Sequence, residues 1–329
     1  MAAAGGTKAV ITAMLANGGI AIAKFVAYIV TGSGAMLAES IHSVADTSNQ
    51  ALLLLGGKRA QRIADDRHQF GYGRERYFWA FVVAMVLFAL GGVFSIYEGI
   101  SKIREPHALE SLGWAIGVLL LAIALEGFAF RTAIVESLKV KGDRSWWQFI
   151  RKSRSPELPV ILLEDAGALI GLFLALGGVG LTVLTGDPLW DGLGTLCIGF
   201  LLVVISIVLT IEMKSLLIGE AATPEHVTAL TTAVRRVSTV NRIIDLRTQH
   251  IGPEELLVAA KIEFDRSLTN PQISDAVDEV EGVLRRAVPL EMQIYLEPDL
   301  FDSDYLDSTA PVSGDHAPGT HPSSEGKDV

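Results

Sequence analysis

The sequence has little charge and almost no cysteine. Only 19% of its 329 residues are Asp, Glu, Lys or Arg, where a soluble domain has about a quarter, and the mean hydropathy is +0.40. The one cysteine, Cys197, excludes an intrachain disulfide framework and a cysteine-based zinc site, and we interpret it as a small core residue. Basic residues number 27 against 37 acidic ones, so the basic surface of a nucleic-acid-binding protein is missing and no nucleic-acid partner is expected.

What the sequence has instead is a set of long apolar runs in its first two-thirds. Residues 1–212 carry 17 basic and 17 acidic residues, whereas residues 213–329 carry 10 and 20, which is the whole net charge of −10. A membrane-spanning helix needs about 20 apolar residues. Residues 1–212 therefore predict an all-α membrane domain with six transmembrane helices. The predicted spans are Ala9–Val30, Ala35–Gly57, Tyr77–Ile100, Leu112–Phe130, Leu158–Leu184 and Leu189–Ile211.

Basic residues cluster in two connections between these spans. The connection after span two holds Lys58, Arg59, Arg62, Arg67, Arg74 and Arg76, and the one after span four holds Lys139, Lys141, Arg144, Arg151, Lys152 and Arg154. Short basic loops stay in the cytoplasm. The pattern predicts a multi-pass protein of the cell (inner or plasma) membrane, with the lipid bilayer around it and both termini cytoplasmic.

The acidic last third reads as a small soluble domain over residues 213–298. The motif Thr223-Pro224 is typical of a helix start, and residues alternate between apolar and polar over Leu256–Asp265, as expected for a strand. The order of elements is helix, strand, strand, helix, strand, which predicts an α+β layer. Residues 299–329 are rich in Asp, Ser, Pro and Gly and are expected to form a disordered acidic tail.

The second span carries the most polar groups. His42 and Asp46 are four residues apart, so they share one face of a helix. An imidazole and a carboxylate at that spacing suit zinc or a similar first-row metal, although they could also form a hydrogen-bonded pair between helices. Charged groups are costly inside a bilayer, which favours the functional interpretation. Glu39, one turn before His42, is a further candidate carboxylate.

Acidic residues also occur in two later spans. Glu164 and Asp165 are adjacent in span five, so only one of them can point squarely inward, and the other could pair with an arginine or cap a break. Glu126 in span four could be a metal ligand, a proton carrier or a salt-bridge partner of Arg131. No HExxH motif and no separate base–nucleophile pair occur in the spans, so we do not expect an enzyme.

Two segments resemble the cation diffusion facilitator family of metal/proton exchangers. Ala38–Asp46 resembles the family's second-helix signature, and His68–Arg76 resembles the loop that opens its third helix. The phrases Tyr72–Phe81 and Leu162–Asp165 are most similar to the branch that contains the mitochondrial zinc transporter of animals. The resemblance extends from about Lys8 to Pro298.

This resemblance implies a homodimer that exports Zn²⁺ as its substrate in exchange for protons, without an organic cofactor, and with a ferredoxin-like, metallochaperone-like cytoplasmic domain. It implies transport ligands at His42, Asp46 and Asp165. Ile161 stands where the family usually has a second ligand in span five, so Glu164 ranks first for the fourth place, with Glu126, Glu39 or water as alternatives. A carboxylate-rich site also leaves Mn²⁺, Fe²⁺ and Co²⁺ open, and a non-transporting metal sensor or scaffold is the alternative function.

Two secondary metal sites of the family are expected to be weak or absent. In the loop after span two, Asp65 and His68 match the family, but Tyr72 occupies the third position. In the last third, relatives' ligand positions fall near Ile244, Lys261 and Tyr295, which are not a credible ligand set. His250 lies nearby and is expected to be an ordinary surface residue of a strand.

Overall fold

The computed structural model describes residues 2–31, 34–105 and 112–301. For residues 2–5, 30, 31, 34–39, 41, 42, 45, 112, 114 and 115 it describes the backbone only. The predicted acidic tail therefore lies almost wholly outside the described residues. The elements are α1 (Ala2–Thr31), α2 (Gly34–Ala60), α3 (Glu75–Val86), a π-helical segment (Leu87–Val93), α4 (Phe94–Arg104), α5 (Leu112–Lys141), α6 (Trp146–Lys152), α7 (Glu157–Thr185), α8 (Leu189–Ile218), α9 (Pro224–Arg235), β1 (Val240–Gly252), β2 (Glu255–Phe264), α10 (Asn270–Ala287) and β3 (Glu291–Pro298).

Five stretches of the described helices are long and apolar enough to cross a membrane, not the six expected. They are Gly6–Ile29, Glu75–Arg104, Ile116–Lys141, Glu157–Thr185 and Leu189–Ile218. The second of these comprises α3, the π-helical segment and α4. Helix α2 has 27 residues, which is long enough, but the polar run between Glu39 and Gln50 lowers its hydropathy. The fourth predicted span ended at Phe130, whereas α5 continues to Lys141.

The long helices form one continuous bundle, in which α2 also packs against α3. Helix α1 packs against α2 and α5, and α5 packs against α7. Helix α8 packs against α3, the π-helical segment and α4, and also against α7. Small residues line the contact between α1 and α5, where Ala9, Ala13, Ala129 and Ala133 belong to one buried apolar cluster. Small side chains let helix backbones approach closely, and this packing brings the polar side of α2 towards α5 and α7.

Residues 219–298 form a three-stranded sheet with two helices on one face. Strands β1 and β2 are antiparallel, with Leu246 opposite Ala260, and β2 and β3 are parallel and joined by α10. Every second residue of β2 is buried against the helices, from Leu256 to Phe264, as the alternation predicted. The predicted order of elements is confirmed. A ferredoxin-like fold is not, because that pattern begins with a strand and among the described residues α9 precedes β1.

Two residues lie in environments opposite to those expected. Cys197 is exposed on α8 rather than buried in a core. Its helix is apolar on all sides, so the sequence pattern does not reveal which face turns inward. His250 is 1% exposed rather than on the surface. The backbone N–H of His250 donates to the carbonyl of Glu220 at 2.8 Å, which draws this strand end under the segment that follows α8.

The two basic connections lie at the same end of the helices as the sheet. The hydroxyl of Tyr77, which begins span three, donates to the carbonyl of Arg154 at 3.1 Å. The guanidinium of Arg154 forms an ion pair with Glu220 and donates to the carbonyl of Ala221 at 3.1 Å. Lys8 of α1 pairs with Glu136 near the end of α5 at 3.2 Å. The N-terminal half of α1, both basic connections and the small sheet domain therefore share one end of the molecule.

Candidate metal site between the helices

Helix α2 presents a row of polar side chains at the middle of its length. Asp46 is half-buried, and Asn49 and Gln50 are buried one turn further on. The side chains of His42 and Glu39 lie outside the described residues, so the predicted His42–Asp46 pair stays a prediction. Asn49 and Gln50 are amides that the sequence marked only as part of a polar run. Their burial shows that this face of α2 turns to other helices and away from lipid.

The two adjacent acids of α7 are both buried. Asp165 is 0% exposed and Glu164 is 6% exposed, so the expectation that only one could turn inward is wrong. The amide Nδ2 of Asn49 donates to Oε1 of Glu164 at 3.1 Å. Neither carboxylate oxygen of Asp165, nor Oε2 of Glu164, has a hydrogen-bond partner among the described residues. Buried polar atoms are normally satisfied, so these oxygens are acceptors open to a cation, a proton or water.

Glu126 of α5 joins this group from a third helix. It is buried, and its charge interacts with those of Asp46, Asp165 and Lys24. Arg131 is exposed and forms no ion pair with Glu126 among the described side chains, which removes the salt-bridge alternative. Glu126 lies near the middle of α5, which runs from Leu112 to Lys141. The buried lysine supplies positive charge where three carboxylates converge.

The described side chains do not form a closed metal site. Among them, no three His, Cys, Asp or Glu groups lie close enough together to hold a metal ion. Asp46 interacts electrostatically with Glu126 and Glu164, and Asp165 interacts with the same two glutamates. The packing of α2, α5 and α7 thus gathers Asp46, Glu164 and Asp165 into one region, while their assignment as ligands together with His42 stays a prediction.

The loop after α2 uses its acidic residue for its own structure. The hydroxyl of Tyr72 donates to Oδ2 of Asp65 at 2.6 Å, and the backbone N–H groups of Arg67 and His68 donate to Oδ1 at 3.0 and 2.8 Å. These hydrogen bonds, that of Tyr72 above all, lower the pKa of Asp65. The rings of His68 and Tyr72 lie 4.4 Å apart. Because the carboxylate is already occupied, the loop supports the expectation of weak or absent metal binding.

Of the three positions expected to match relatives' ligands in the last third, Lys261 forms ion pairs here. Lys261 Nζ lies 3.0 Å from Glu297 and 3.3 Å from Asp299. Lys261 and Tyr295 line an open groove of about 350 Å³ on the face of the sheet opposite its helices. An ammonium group repels a metal cation, which supports the expectation that this position binds none.

Comparison with known proteins gives one family for most of the chain. Residues 10–218 match the model of the cation efflux transmembrane domain. The chain is 37% identical over 261 residues to a protein of Xenopus laevis named proton-coupled zinc antiporter SLC30A9, mitochondrial. That alignment covers 78% of this chain but 46% of the frog protein, so the chain spans just under half of that relative's length.

Two further relatives extend the comparison to plants and bacteria. The chain is 30% identical over 262 residues to metal tolerance protein C4 of Arabidopsis thaliana, covering 78% of this chain and 57% of the plant protein. It is 25% identical over 293 residues to the cation-efflux pump FieF of Klebsiella pneumoniae, covering 89% of this chain and 92% of the pump. The bacterial alignment reaches into the small sheet domain, because it is longer than the family model's match.

Proposed function

Because the chain belongs to the cation efflux family, we propose that it is a secondary active transporter that exports a divalent metal cation, Zn²⁺ first among them, in exchange for protons. The observation that carries this proposal is a group of acids from three helices: the half-buried Asp46 of α2, and the buried acids of α5 and α7. Relatives named as a proton-coupled zinc antiporter support zinc and protons as the two substrates. Mn²⁺, Fe²⁺ and Co²⁺ stay open for the same mechanism, since carboxylate oxygens suit these metals too.

We propose His42, Asp46 and Asp165 as metal ligands, with Glu164 in the fourth place. The free oxygens of Asp165 and Glu164 support this set, since buried acceptors without donors favour an arriving cation. Glu126 is the alternative to Glu164. The structure gives Glu126 three carboxylate neighbours and a nearby lysine, so it also suits a role as proton carrier.

Exchange follows from the chemistry of these ligands. A histidine must be neutral and an aspartate ionised to bind metal, so metal binding releases protons and protonation favours release of the metal. On the side of a membrane with more protons, the loaded site would therefore give up its metal. Rocking of helices around the fixed site would expose it to each side in turn.

We propose α2 as the sixth span and residues 1–212, 213–298 and 299–329 as transport domain, cytoplasmic domain and acidic tail. The cytoplasmic domain would join two copies of the chain as a homodimer. The basic connections at the end that bears the sheet support cytoplasmic termini. The word mitochondrial in the relatives' name describes those proteins; for this chain we propose the cell (inner or plasma) membrane. The family and the named relatives are transporters, and we propose no enzymatic activity.

The test is zinc transport by purified protein in liposomes that carry a zinc-sensitive dye and a pH gradient. Asp46→Ala and Asp165→Ala should each lower the transport rate by about 100-fold or more, because even a residue that only supports a metal ligand is worth about 10–100-fold in affinity. Asp143→Ala, an exposed carboxylate between α5 and α6, is the matched control and should keep its rate. Transport should begin when zinc is added on the side that carries the small domain.

Three results would contradict the proposal. Full transport in both aspartate variants would remove the site assignment. Zinc uptake that ignores the pH gradient would remove proton exchange. Stoichiometric metal binding without any flux would favour the sensor or scaffold function instead, and a competition assay with Mn²⁺, Fe²⁺ and Co²⁺ would identify the preferred metal.

A further inference from the structure

Asn49 connects the two helices that supply most of the proposed ligands. It follows Asp46 by three residues on α2, and its Nδ2 donates to Oε1 of Glu164 on α7 at 3.1 Å. Both side chains are buried, and 115 residues separate them in the sequence. A carboxylate held by one oxygen in a buried place cannot rotate freely, so this hydrogen bond determines where its second oxygen lies.

The hydrogen bond between Asn49 and Glu164 leaves one oxygen of each side chain unused. Oε2 of Glu164 and Oδ1 of Asn49 have no hydrogen-bond partner among the described residues. Because Nδ2 is the donor to Glu164, the oxygen of the same amide must point elsewhere. Gln50 lies near Glu164 as well, but its amide atoms complete no hydrogen bond within the described part of the chain. Asn49 therefore makes the hydrogen bond of good geometry to this glutamate, with Gln50 beside it.

A neutral donor has a particular advantage at this place. A lysine or arginine bound to Glu164 would cancel the negative charge that attracts a divalent cation. An amide hydrogen bond fixes the orientation of the carboxylate and leaves its charge available. Ligand groups of metal sites are commonly held by such hydrogen-bonding neighbours.

We propose that Asn49 is a positioning residue of the transport site, which holds Glu164 by Oε1 so that Oε2 is the oxygen offered to the metal. The inference rests on the proposed function. It assigns the fourth ligand place to Glu164 rather than Glu126, and it gives a reason for the amide three residues after Asp46.

The test compares zinc transport kinetics of purified variants in proteoliposomes. Asn49→Ala should raise KM for zinc about tenfold, the lower end of the effect of losing a ligand's hydrogen-bonding neighbour, and change the maximal rate less than twofold. Asn49→Leu removes the hydrogen-bond donor but roughly keeps the side-chain volume. It should raise KM by a similar factor, and it replaces Asn49→Ala in the test if the alanine variant folds poorly. Ser48→Ala is the control, since the exposed Ser48 hydroxyl donates only to the carbonyl of Val44, and its KM should not change.

A double variant separates positioning from general packing. In a Glu164→Gln protein, Asn49→Ala should raise KM no further, because the amide acts through that carboxylate. Multiplying effects in the double variant, or an unchanged KM in Asn49→Ala and Asn49→Leu, would overturn the inference. Asp165→Ala is measured beside them. No zinc transport by the wild type would overturn the proposed function, and full transport by Asp165→Ala would remove the proposed ligand assignment. Loss of transport in Asp165→Ala beside an unchanged KM in Asn49→Ala would overturn the inference alone.

Discussion

Asp165 is an acidic residue buried inside the helix bundle. Charged residues are costly inside a spanning helix, and a residue eight positions after the start of α7 lies about 12 Å along that helix. Neither oxygen of Asp165 has a donor among the described residues. An acidic group so placed is consistent with the proposed role of Asp165 as a ligand of the transported metal.

His250 makes a residue-scale prediction outside the membrane. Burial, the largest effect, lowers its pKa to about 4, with the charge of Arg154 acting in the same direction. An unfolded histidine has a pKa of about 6.5. At a pH between these two pKa values, His250 is protonated in the unfolded chain but not in the folded chain. Stability is therefore complete above pH 6.5 and falls as the pH drops towards 4.

The measurement is thermal unfolding of the purified full chain at pH 7.5 and pH 5.5. The wild type should lose about 1 kcal/mol more than His250→Gln over this interval, since one pKa unit corresponds to about 1.4 kcal/mol. The same pH dependence in both proteins would show that His250 is not the group responsible. Transport is not expected to differ between them at neutral pH, where the ring is uncharged in both states.

At the scale of elements, the crossing of α4 and α8 depends on glycine. A Cβ on Gly199 would lie 2.7 Å from the backbone nitrogen of Ile96, and one on Gly99 would lie 2.7 Å from that of Leu196. Backbone atoms cannot move aside as a flexible side chain can. A Cβ on Gly92 of the π-helical segment, or on Gly192 of α8, would lie 3.1 or 3.2 Å from a backbone nitrogen of the opposite helix. This close approach holds the helix pair together where a bilayer supplies little hydrophobic driving force.

Gly199→Ala should therefore destabilise the protein by about 1–3 kcal/mol, the usual cost of overpacking. Gly177→Ala in α7 is the matched control, because nothing lies within 4 Å of a Cβ placed there. Both substitutions replace a helical glycine by alanine, so helix propensity favours them equally. Thermal unfolding in detergent distinguishes them, and equal melting temperatures would contradict the close crossing.

At the scale of the whole molecule, Arg154 joins the membrane helices to the small sheet domain. Its ion pair with Glu220 and its hydrogen bond to Ala221 hold the segment between α8 and α9. Nearby, Gly73 of the first basic connection lies so close to β1 that a Cβ would come within 2.8 Å of the carbonyl oxygen of Ile251. Both basic connections thus touch the small domain, and movement of the helices would reach it through them.

Arg154→Gln should weaken the attachment of the small sheet domain to the membrane helices. Leaving Glu220 without its charged partner costs about 1–3 kcal/mol locally, so hydrogen exchange over residues 219–252 should quicken about tenfold or more, while exchange in α10 stays unchanged. Lys214→Gln, a lysine of α8 outside these contacts, serves as control. Equal hydrogen-exchange rates in wild type and Arg154→Gln would show that other contacts attach the small domain to the membrane helices.

Local sequence patterns were sufficient to predict most of the helices and strands of this protein. The apolar runs located the long helices, the alternation in Leu256–Phe264 located a strand and its buried face, and Thr223 was recognisable as a helix cap, whose hydroxyl accepts from the backbone of His226. These features depend on neighbours within a few residues, so they can be read along the chain. Even the polar face of α2 was visible, because polar groups in an apolar setting stand out.

Tertiary structure alone decided which of these groups meet. The bond from Asn49 to Glu164, the convergence of Glu126 on the same region and the burial of His250 join residues far apart in sequence, and the outward position of Cys197 depends on which face of α8 its neighbours cover. An evenly apolar helix carries no signal of its orientation. The sequence by itself thus determined that acids would lie among the helices. Packing determined that Glu164 and Asp165 would both be buried, one held by an amide and the other without a hydrogen-bond partner in the part of the chain that the structure describes.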